Sequence, residues 1–275
     1  MNIQSIVPRG LPEEIIARLH DAVISAAEHR LTARRFLDFE GPLGAGITSI
    51  QVGTGIEHEF QTDPTTTRIV AERAVPVPML FTRFRIPVRE ILGARDQHLP
   101  LSTRSAEDAG QSISLAEERL IYCGDLRFGL FGLANVPGAQ SVAMGDWNLA
   151  EQAIQDVIRA ADHLDAANAR PPFSLVLAPH LYNLLFRKYE GSDVLQIEHL
   201  RRLASGGVFK SPSLANGALL VSTDVGPLVC TQDLETTFLV PSDASIVFEV
   251  SEAIVLRLDE PRAVCRIGEV NPTKS

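Results

Sequence analysis

Apolar side chains recur at three- and four-residue steps between residues 104 and 124, a spacing that predicts one long amphipathic helix. The stripe consists of Ala106, Ala109, Ile113, Ala116 and Leu120. Ser105 and Asp108 have the spacing of a capping box at its start. Gly124 follows the last apolar positions, where helices commonly end. The stretch is therefore predicted to be a central spine of the fold.

A second amphipathic helix is predicted over residues 12–29. Its apolar stripe consists of Ile15, Ile16, Leu19, Val23, Ala26 and Ala27. Pro12, Glu13 and Glu14 suit a first helical turn, where acidic groups interact favourably with the helix dipole. The stripe can pack on its own chain, on a neighbouring copy or on another protein.

Residues 47–73 alternate β-branched and polar side chains, but they contain too little apolar mass for a core of their own. This pattern predicts a long, exposed two-stranded excursion. Such an excursion rarely stays ordered on a monomer.

The rest of the chain alternates helical and strand-like patterns, which together predict an α+β fold. Before the spine, a strand is predicted over 79–86 and a loop over 96–101. After the spine, helices are predicted over 149–167, 180–188 and 194–204, with strands over 174–179 and 217–222. Five short strands are predicted in the tail, over 226–231, 236–240, 245–250, 253–258 and 263–267.

The composition is that of a globular protein, with 45% hydrophobic residues and a formal net charge of −9. The acidic balance argues against a nucleic-acid partner, which would require a basic face. No apolar run has the length of a signal peptide or of a membrane span, so we expect neither secretion nor membrane insertion. Cys123, Cys230 and Cys265 are widely spaced and odd in number. This usage favours reduced thiols in the cytoplasm.

Motifs for catalysis or cofactor binding are not found in the sequence. There is no GxSxG nucleophile elbow and no pair of histidines or cysteines at metal-binding spacing. Glycines at 41, 44 and 46 match no phosphate-binding loop. Glu117 and Glu118 have no Glu-x-x-His partner, and we interpret them as a solvated helix face. We therefore expect no catalytic residue, no metal site, no bound cofactor and no enzyme activity.

Several segments, taken together and in order, resemble the shell proteins of encapsulin nanocompartments, also called linocin-type bacteriocins. The matching segments are ARRFLDFEGPLGAG (33–46), EERLIYCGDLRFGLFGL (117–133), GDW (145–147), VLAPHLYNLL (176–185), VLQIEHLRRLASGGVFKSPSL (194–214) and TQDLETTFL (231–239). The resemblance implies the tailed-phage major capsid (HK97-like) fold, with a peripheral domain, an axial domain and an extended loop. It also implies a self-assembling icosahedral shell, with subunits in multiples of sixty, that encloses a cargo enzyme.

The resemblance also divides the chain. Residues 1–46 are expected to hold an N-terminal arm, the first helix and the start of the peripheral domain. Residues 47–73 are the extended loop, and 74–148 continue the peripheral domain with the spine. Residues 149–239 form most of the axial domain, and 240–275 are C-terminal strands.

Two sites are implied by the resemblance. A polar tip at a symmetry axis is expected to line a pore that passes cations, and it consists of Lys188, Tyr189, Glu190, Gly191, Ser192 and Asp193. A groove beside the first helix is expected to bind a short targeting tail of the cargo. Its candidate residues are Ile15, Ile16, Leu19, Val23, Arg34, Asp38 and Asp233. The alternative for Arg34 and Asp38 is a simple salt bridge between the two.

Several alternatives remain open within this interpretation. The residues of the matching segments resemble those of family members with ferritin-like iron-storage cargo. Dye-decolourising peroxidase is the alternative cargo. Arg89 lies near the place where some members stack a flavin on a tryptophan, so we expect no flavin. A phage or prophage capsid protein would share the fold. Phage capsid proteins commonly carry a long N-terminal scaffolding segment. The first helix here is expected to begin at about residue 12, so we expect no such segment before it.

Overall fold

The computed structural model describes residues 11–62, 65–149, 151–189, 193–242 and 244–272. The α-helices of this part are α1 (Glu13–Glu28), α2 (Val88–Gln97), α3 (Arg104–Cys123), α4 (Gln152–Ala166), α5 (Pro179–Leu184) and α6 (Gln196–Leu203). The strands before α5 are β1 (Phe39–Glu40), β2 (Ser49–Thr62), β3 (Thr65–Pro76), β4 (Met79–Pro87), β5 (Gln140–Val142) and β6 (Phe173–Leu177). The later strands are β7 (Gly207–Lys210), β8 (Leu214–Ser222), β9 (Leu228–Ser242), β10 (Ser245–Leu256) and β11 (Val264–Pro272).

A four-stranded sheet in the order β1-β9-β10-β4 carries α1 and α3 on one face. In its centre Phe84 lies opposite Phe248 in the antiparallel register of β4 and β10, and their rings stack at 5.1 Å between centroids. The apolar side of α1 joins the same core. The core residues contributed by the helices include Ile15, Leu19, Val23, Ile91, Ala106, Ala109 and Ile113. Burial of these apolar side chains fixes α1 and α3 on the sheet.

A five-stranded sheet in the order β5-β11-β8-β6-β7 packs with α4, α5 and α6. Every residue of its strand β6 is buried, as expected for a short apolar strand in the middle of a sheet. Strand β11 from the C-terminal part pairs with both β8 and β5. The last part of the chain therefore contributes to both sheets, because β10 belongs to the four-stranded one.

Strands β2 and β3 form a separate antiparallel hairpin, so the prediction of a two-stranded excursion over 47–73 is confirmed. The base of the hairpin packs on the body, where Ile50, Val75 and Val77 contact a small core. That core consists of Leu130, Val229 and Val255.

Other predictions needed correction. The helix α3 begins at Arg104 after Thr103, whose hydroxyl donates to Glu107 at 2.6 Å, so the predicted Ser105–Asp108 capping box is wrong by two residues. The five strands predicted in the tail are three in the structure. Strands β9 and β10 each span two predicted strands and the polar residues between them. Helix α2 and strands β5 and β7 were missed, and α4 begins at Gln152.

Among the described residues, no helix combines the length and the apolar character that crossing a membrane requires.

Candidate functional site

A groove of about 320 Å³ runs between α1, α3 and the strands β9 and β10. Its lining residues are His20, Ile24, Ala27, Glu28, Leu31, Arg34, Ile113, Ser114, Glu117, Asp233, Leu234 and Glu252. The floor is made of buried side chains from α1, α3 and β10, while Glu28 and Asp233 are exposed on the rim. The groove therefore combines apolar side chains with buried polar ones, Ser114, Glu117 and Glu252, and has an acidic edge.

Arg34 lies at one end of this groove and holds two buried carboxylates. Its guanidinium donates to both carboxylate oxygens of Glu117, at 2.8 and 3.0 Å, and also to Glu252. The Arg34 side chain is 22% exposed, whereas those of Glu117 and Glu252 are each 1% exposed. Bidentate pairing of this kind fixes the relative orientation of Arg34 and Glu117. Asp233 lies at the edge of the same cluster, 3.9 Å from Arg34.

The cluster changes the proton affinities of its members. Burial and the nearby charge of Glu117 raise the pKa of Glu252 to about 8, against the opposing effect of Arg34. Burial alone would lower the pKa of Arg34, but hydrogen bonds and charge from Glu117 and Glu252 raise it above its usual value. Arg34 is therefore always charged, and the cluster gains negative charge as Glu252 ionises.

Glu118 anchors the short 3₁₀ turn Ala33–Arg35 that carries Arg34. Its carboxylate accepts the backbone N–H of Thr32 at 2.7 Å and that of Ala33 at 2.9 Å, and it also accepts the Thr32 hydroxyl. Burial raises the pKa of Glu118 to about 7, although these hydrogen bonds oppose the rise. The interpretation of Glu117 and Glu118 as a solvated face was therefore wrong, since both are buried.

The structure brings together only some of the predicted cargo-binding residues. Arg34 and Asp233 line the groove. Ile15, Leu19 and Val23 are 6%, 0% and 0% exposed. Their assignment to direct cargo contact was wrong, because they fill the chain's own core under the sheet.

Two further predicted residues lie beside the groove. Ile16 is partly exposed but does not belong to the groove lining. Asp38 is exposed and also lies outside the lining. The alternative of an Arg34–Asp38 salt bridge is wrong as well, because Arg34 pairs with Glu117, Glu252 and Asp233.

The sequence prediction missed the residues of α1 that face the groove, His20, Ile24 and Glu28. They are spaced four residues apart, one position after the buried Leu19 and Val23. This i, i+4 spacing next to the core stripe is the signal that could have found them. Ile113, Ser114 and Leu234 were missed because nothing local shows that α3 and β9 meet α1.

One cluster has the residue types of a metal site. Potential ligand atoms of Cys230, Asp233 and Glu252 lie within 4.8 Å of one another. Burial, together with the charges of Asp233 and Glu252, raises the pKa of the Cys230 thiol to about 12, which disfavours the thiolate that binds metals. The Arg34 guanidinium already neutralises Glu252. The donor set therefore fits the arginine better than a metal cation.

The predicted tip follows α5, and its base is well anchored. Arg187 donates to the backbone carbonyls of Trp147 and Asn148, at 2.5 and 3.2 Å. Lys188 pairs with the fully exposed Asp193 at 2.7 Å. The Tyr189 ring stacks on His199, which is on α6, with 5.0 Å between centroids. The other predicted tip residues lie outside the described part of the chain: Glu190, Gly191 and Ser192.

Comparison with known proteins gives consistent matches along most of the chain. A family model described as encapsulating protein for peroxidase matches residues 10–255. The chain is 33% identical over 279 residues to the type 1 encapsulin shell protein EncA of Myxococcus xanthus, with 96% of each chain covered. It is 26% identical over 200 residues to a ferritin-like-encapsulin shell fusion protein of Pyrococcus furiosus, with 72% of this chain and 54% of the relative covered.

Solved structures show the same fold at lower sequence identity. A virus-like particle from Pyrococcus furiosus superimposes with a TM-score of 0.71 at 23% identity, covering 92% of this chain and 99% of that one. The capsid of the Myoviridae phage XM1 superimposes with a TM-score of 0.59 at 16% identity, covering 86% and 91%. The fold is therefore the α+β fold of tailed-phage capsid proteins (HK97-like), as predicted.

Proposed function

The chain belongs to the encapsulin family of shell proteins, and from this premise we propose that it assembles into a closed icosahedral shell that encloses a cargo protein in the cytoplasm. The match to the family over residues 10–255 is the observation that carries the proposal. The family is one of structural shell proteins, which agrees with an absence of catalytic motifs in the sequence. Membership of this family also favours a cargo container over a virion capsid.

The subunits number a multiple of sixty in this proposal, because icosahedral symmetry requires sixty equivalent positions. The hairpin of β2 and β3 supports assembly, since it forms a two-stranded sheet apart from the two sheets of the body. The four-stranded sheet with α1 and α3 is the peripheral domain, and the five-stranded sheet is the axial domain. Contacts that repeat around closed rings avoid open fibres.

The groove between α1 and α3 is the proposed cargo site. A short extended tail on the cargo would place apolar side chains against Ile24 and Leu234, and a basic side chain against Glu28 or Asp233. Apolar contacts supply most of the affinity, and the rim acids set the direction of the tail. One tail binds weakly because it must be ordered, but many tails on an oligomeric cargo bind together by avidity.

A ferritin-like iron-storage protein is the proposed cargo. The shell part of a ferritin-like fusion protein in Pyrococcus furiosus is related to this chain, which supports this choice. Dye-decolourising peroxidase is the competing cargo, since the family model is described as an encapsulating protein for peroxidase. Mass spectrometry of shells purified from the native cells distinguishes the two, because it identifies the enclosed polypeptide by its peptide masses.

Co-expression with a fluorescent protein that carries the cargo tail tests the groove. Asp233→Lys is expected to reduce loading per shell several-fold, and Asp38→Lys is the matched control because Asp38 is exposed outside the groove. Equal loading in wild type and Asp233→Lys shells would overturn the assignment of Asp233. Loss of loading in Asp38→Lys alone would indicate that Asp38, and not Asp233, pairs with the basic side chain of the tail.

The tip formed by residues 188–193 is the proposed pore lining. Since Lys188 neutralises Asp193, Glu190 supplies the net negative charge that attracts cations such as Fe²⁺, which is the substrate here. The double variant Glu190→Gln/Asp193→Asn is expected to slow iron uptake by loaded shells. Asp162→Asn/Asp165→Asn removes the same charge from exposed positions on α4 and serves as the control. Equal uptake in both variants would exclude the tip as the pore.

A further inference from the structure

Two buried carboxyl groups in the groove between α1 and α3 share a single cationic partner. Glu117 of α3 and Glu252 of β10 both line this groove, and each side chain is 1% exposed. The Arg34 guanidinium donates to both of them. Two buried negative charges beside one positive charge leave an excess charge inside the protein, which is costly. One of the two carboxyl groups is therefore best accommodated with its proton.

Glu252 is the group that holds this proton. Burial raises its pKa to about 8, and the charge of Glu117 and a hydrogen bond between the two carboxyl groups act in the same direction, against Arg34. A hydrogen bond between two carboxyl groups requires a proton on one of them. We call Glu117 and Glu252 the carboxyl pair. With the proton in place, the charges of Glu117 and Arg34 balance each other.

The elements packed around the carboxyl pair contribute further groups that can carry charge. These groups are His20 and Glu28 of α1, Arg34 of the following turn, Glu118 of α3, and Cys230 and Asp233 of β9. Strand β4 places the apolar Leu80 opposite Glu252.

Of these groups, Asp233 adds most directly to the negative charge at Arg34. It lies 3.9 Å from the Arg34 guanidinium and is exposed on the rim of the groove. The Cys230 thiol stays neutral, because burial and the charges of nearby acids raise its pKa to about 12. Once Glu252 loses its proton, Arg34 therefore faces three carboxylates, and a second cation is needed to balance them.

We propose that a basic side chain of the cargo tail binds beside Asp233 and releases the proton of the carboxyl pair, so that cargo capture is coupled to pH. The inference rests on the proposed function, because it concerns the regulation of the same groove. The tail supplies the cation that the ionised pair lacks. Proton release and cation binding therefore favour each other. The tail binds more tightly as the pH rises and is released as the proton returns.

Binding of two matched peptides inside wild-type shells tests the coupling. Both peptides are N-acetylated, carry a dye and contain glycine, leucine and isoleucine, which suit the apolar Ile24 and Leu234 of the groove. One carries a single arginine and the other carries citrulline, which has nearly the same shape but no charge. Each peptide is enclosed by reassembling shells in its presence. Fluorescence anisotropy then measures the bound fraction after the pH is changed.

The arginine peptide is expected to bind on the order of five-fold more tightly at about pH 9 than at about pH 6.5. The citrulline peptide is expected to bind equally at both pH values. This comparison uses wild type and does not depend on any variant folding. A pH dependence that is absent, or that is the same for both peptides, would overturn the proposal.

Variants identify the group that releases the proton. Glu252→Gln has nearly the same shape but cannot ionise, so the arginine peptide is expected to bind it equally at both pH values. Glu249→Gln is the matched control, because Glu249 lies on the same strand outside the groove lining. It is expected to keep the pH dependence of wild type. An unchanged pH dependence in Glu252→Gln would contradict the role of the carboxyl pair.

Two other groups near the pair change charge in the same pH range. Histidine titrates near neutral pH as a residue type, and His20 lines the groove. The pKa of Glu118 is raised by burial to about 7. His20→Asn and Glu118→Gln are both expected to keep the pH dependence. Its loss in either variant, with Glu252→Gln unchanged, would assign the proton to that residue and overturn the proposal.

Failure of the coupling differs from failure of the proposed function. If the arginine and citrulline peptides bind equally at both pH values, the groove takes the tail and only the proton coupling is wrong. If shells form but neither peptide binds at either pH, the assignment of the groove as the cargo site fails, and the coupling fails with it.

Discussion

Arg34 joins parts of the chain that are far apart in sequence. Its guanidinium binds Glu117 of α3 and Glu252 of β10, and it lies at the end of the groove. Each carboxylate is stable in the interior only because this partner is present. The same side chain therefore holds the four-stranded sheet to α3 and shapes the candidate cargo site.

Removal of the Arg34 charge is expected to be strongly destabilising. Arg34→Met leaves Glu117 and Glu252 buried without their cationic partner, a change that costs roughly 3–5 kcal/mol. Chemical denaturation of assembled and dissociated protein measures the loss. Arg35→Met is the control, because Arg35 is exposed on the same turn. A loss of less than about 1 kcal/mol for Arg34→Met, the size of a surface effect, would contradict the role assigned to this pair.

The raised pKa values of Glu118 and Glu252 make stability depend on pH. The folded-state pKa values are about 7 and about 8, above the ordinary value of 4.5. The folded protein therefore binds these protons more tightly than the unfolded chain does. The stability that the two groups contribute is complete below about pH 4.5 and is lost as the pH rises through 7 and 8.

Thermal unfolding at a series of pH values from about 5 to 9 checks this dependence. Melting temperatures of wild type are expected to fall toward the alkaline end. Glu118→Gln and Glu252→Gln cannot ionise, so each is expected to flatten part of the slope. Slopes equal to that of wild type in both variants would show that these two groups are not its source.

Sequence reasoning failed at this cluster for a physical reason. The apolar stripe of α3 was predicted to continue through Ala116 and Leu120, but the buried face continues through Glu117, Glu118 and Ile121. Glutamates look like surface residues when only the local pattern is available. The hydrogen-bond partners of Glu117 and Glu118 are 83 to 86 positions away, at Arg34, Thr32 and Ala33, and a local period contains no signal for them.

At the scale of elements, the close crossing of α1 and α3 sets the width of the groove between them. A Cβ atom at Gly110 on α3 would lie 2.3 Å from the carbonyl oxygen of Val23 on α1. Only glycine permits this approach. The carbonyl oxygen belongs to the α1 backbone and a Cβ is bonded directly to the α3 backbone, so neither atom can move aside without shifting a helix. The helices α1 and α3 also form two walls of the groove.

Gly110→Ala is therefore expected to push α1 away from α3. Overpacking of this kind costs about 1–3 kcal/mol, and the altered groove is expected to reduce cargo loading. Denaturation and the co-expression assay measure the two effects. Ser112→Ala, an exposed change on the same helix, is expected to leave both unchanged. A Gly110→Ala protein with wild-type stability would show that α1 and α3 are not packed as described.

Elements with strong local periodicity were predicted well. The helix over 12–29, the spine and the hairpin over 47–73 are confirmed by α1, α3 and the β2–β3 pair. Strand limits were predicted less well, since β9 continues through the exposed Asp233 and Glu235, and β10 continues through the buried Ser251 and Glu252. Sheet pairing holds such residues in an extended conformation, and pairing partners are not visible in a local pattern.

At the scale of the whole molecule, three features call for other copies of the chain. The β2–β3 hairpin forms a two-stranded sheet of its own, and Leu126 and Phe128, just after α3, are exposed to solvent. The chain also has the fold of phage capsid proteins and belongs to a family of shell proteins. These features agree with the proposed role of the chain as a shell subunit.

Measurement of the assembled mass and symmetry tests this account most directly. Mass photometry and single-particle electron microscopy of the purified full chain are expected to show closed icosahedral shells. Sixty copies of the 29.9 kDa chain give a shell of about 1.8 MDa, and larger shells are whole multiples of that mass. A monodisperse monomer or dimer at micromolar concentration would contradict the central claim that this chain is a shell subunit.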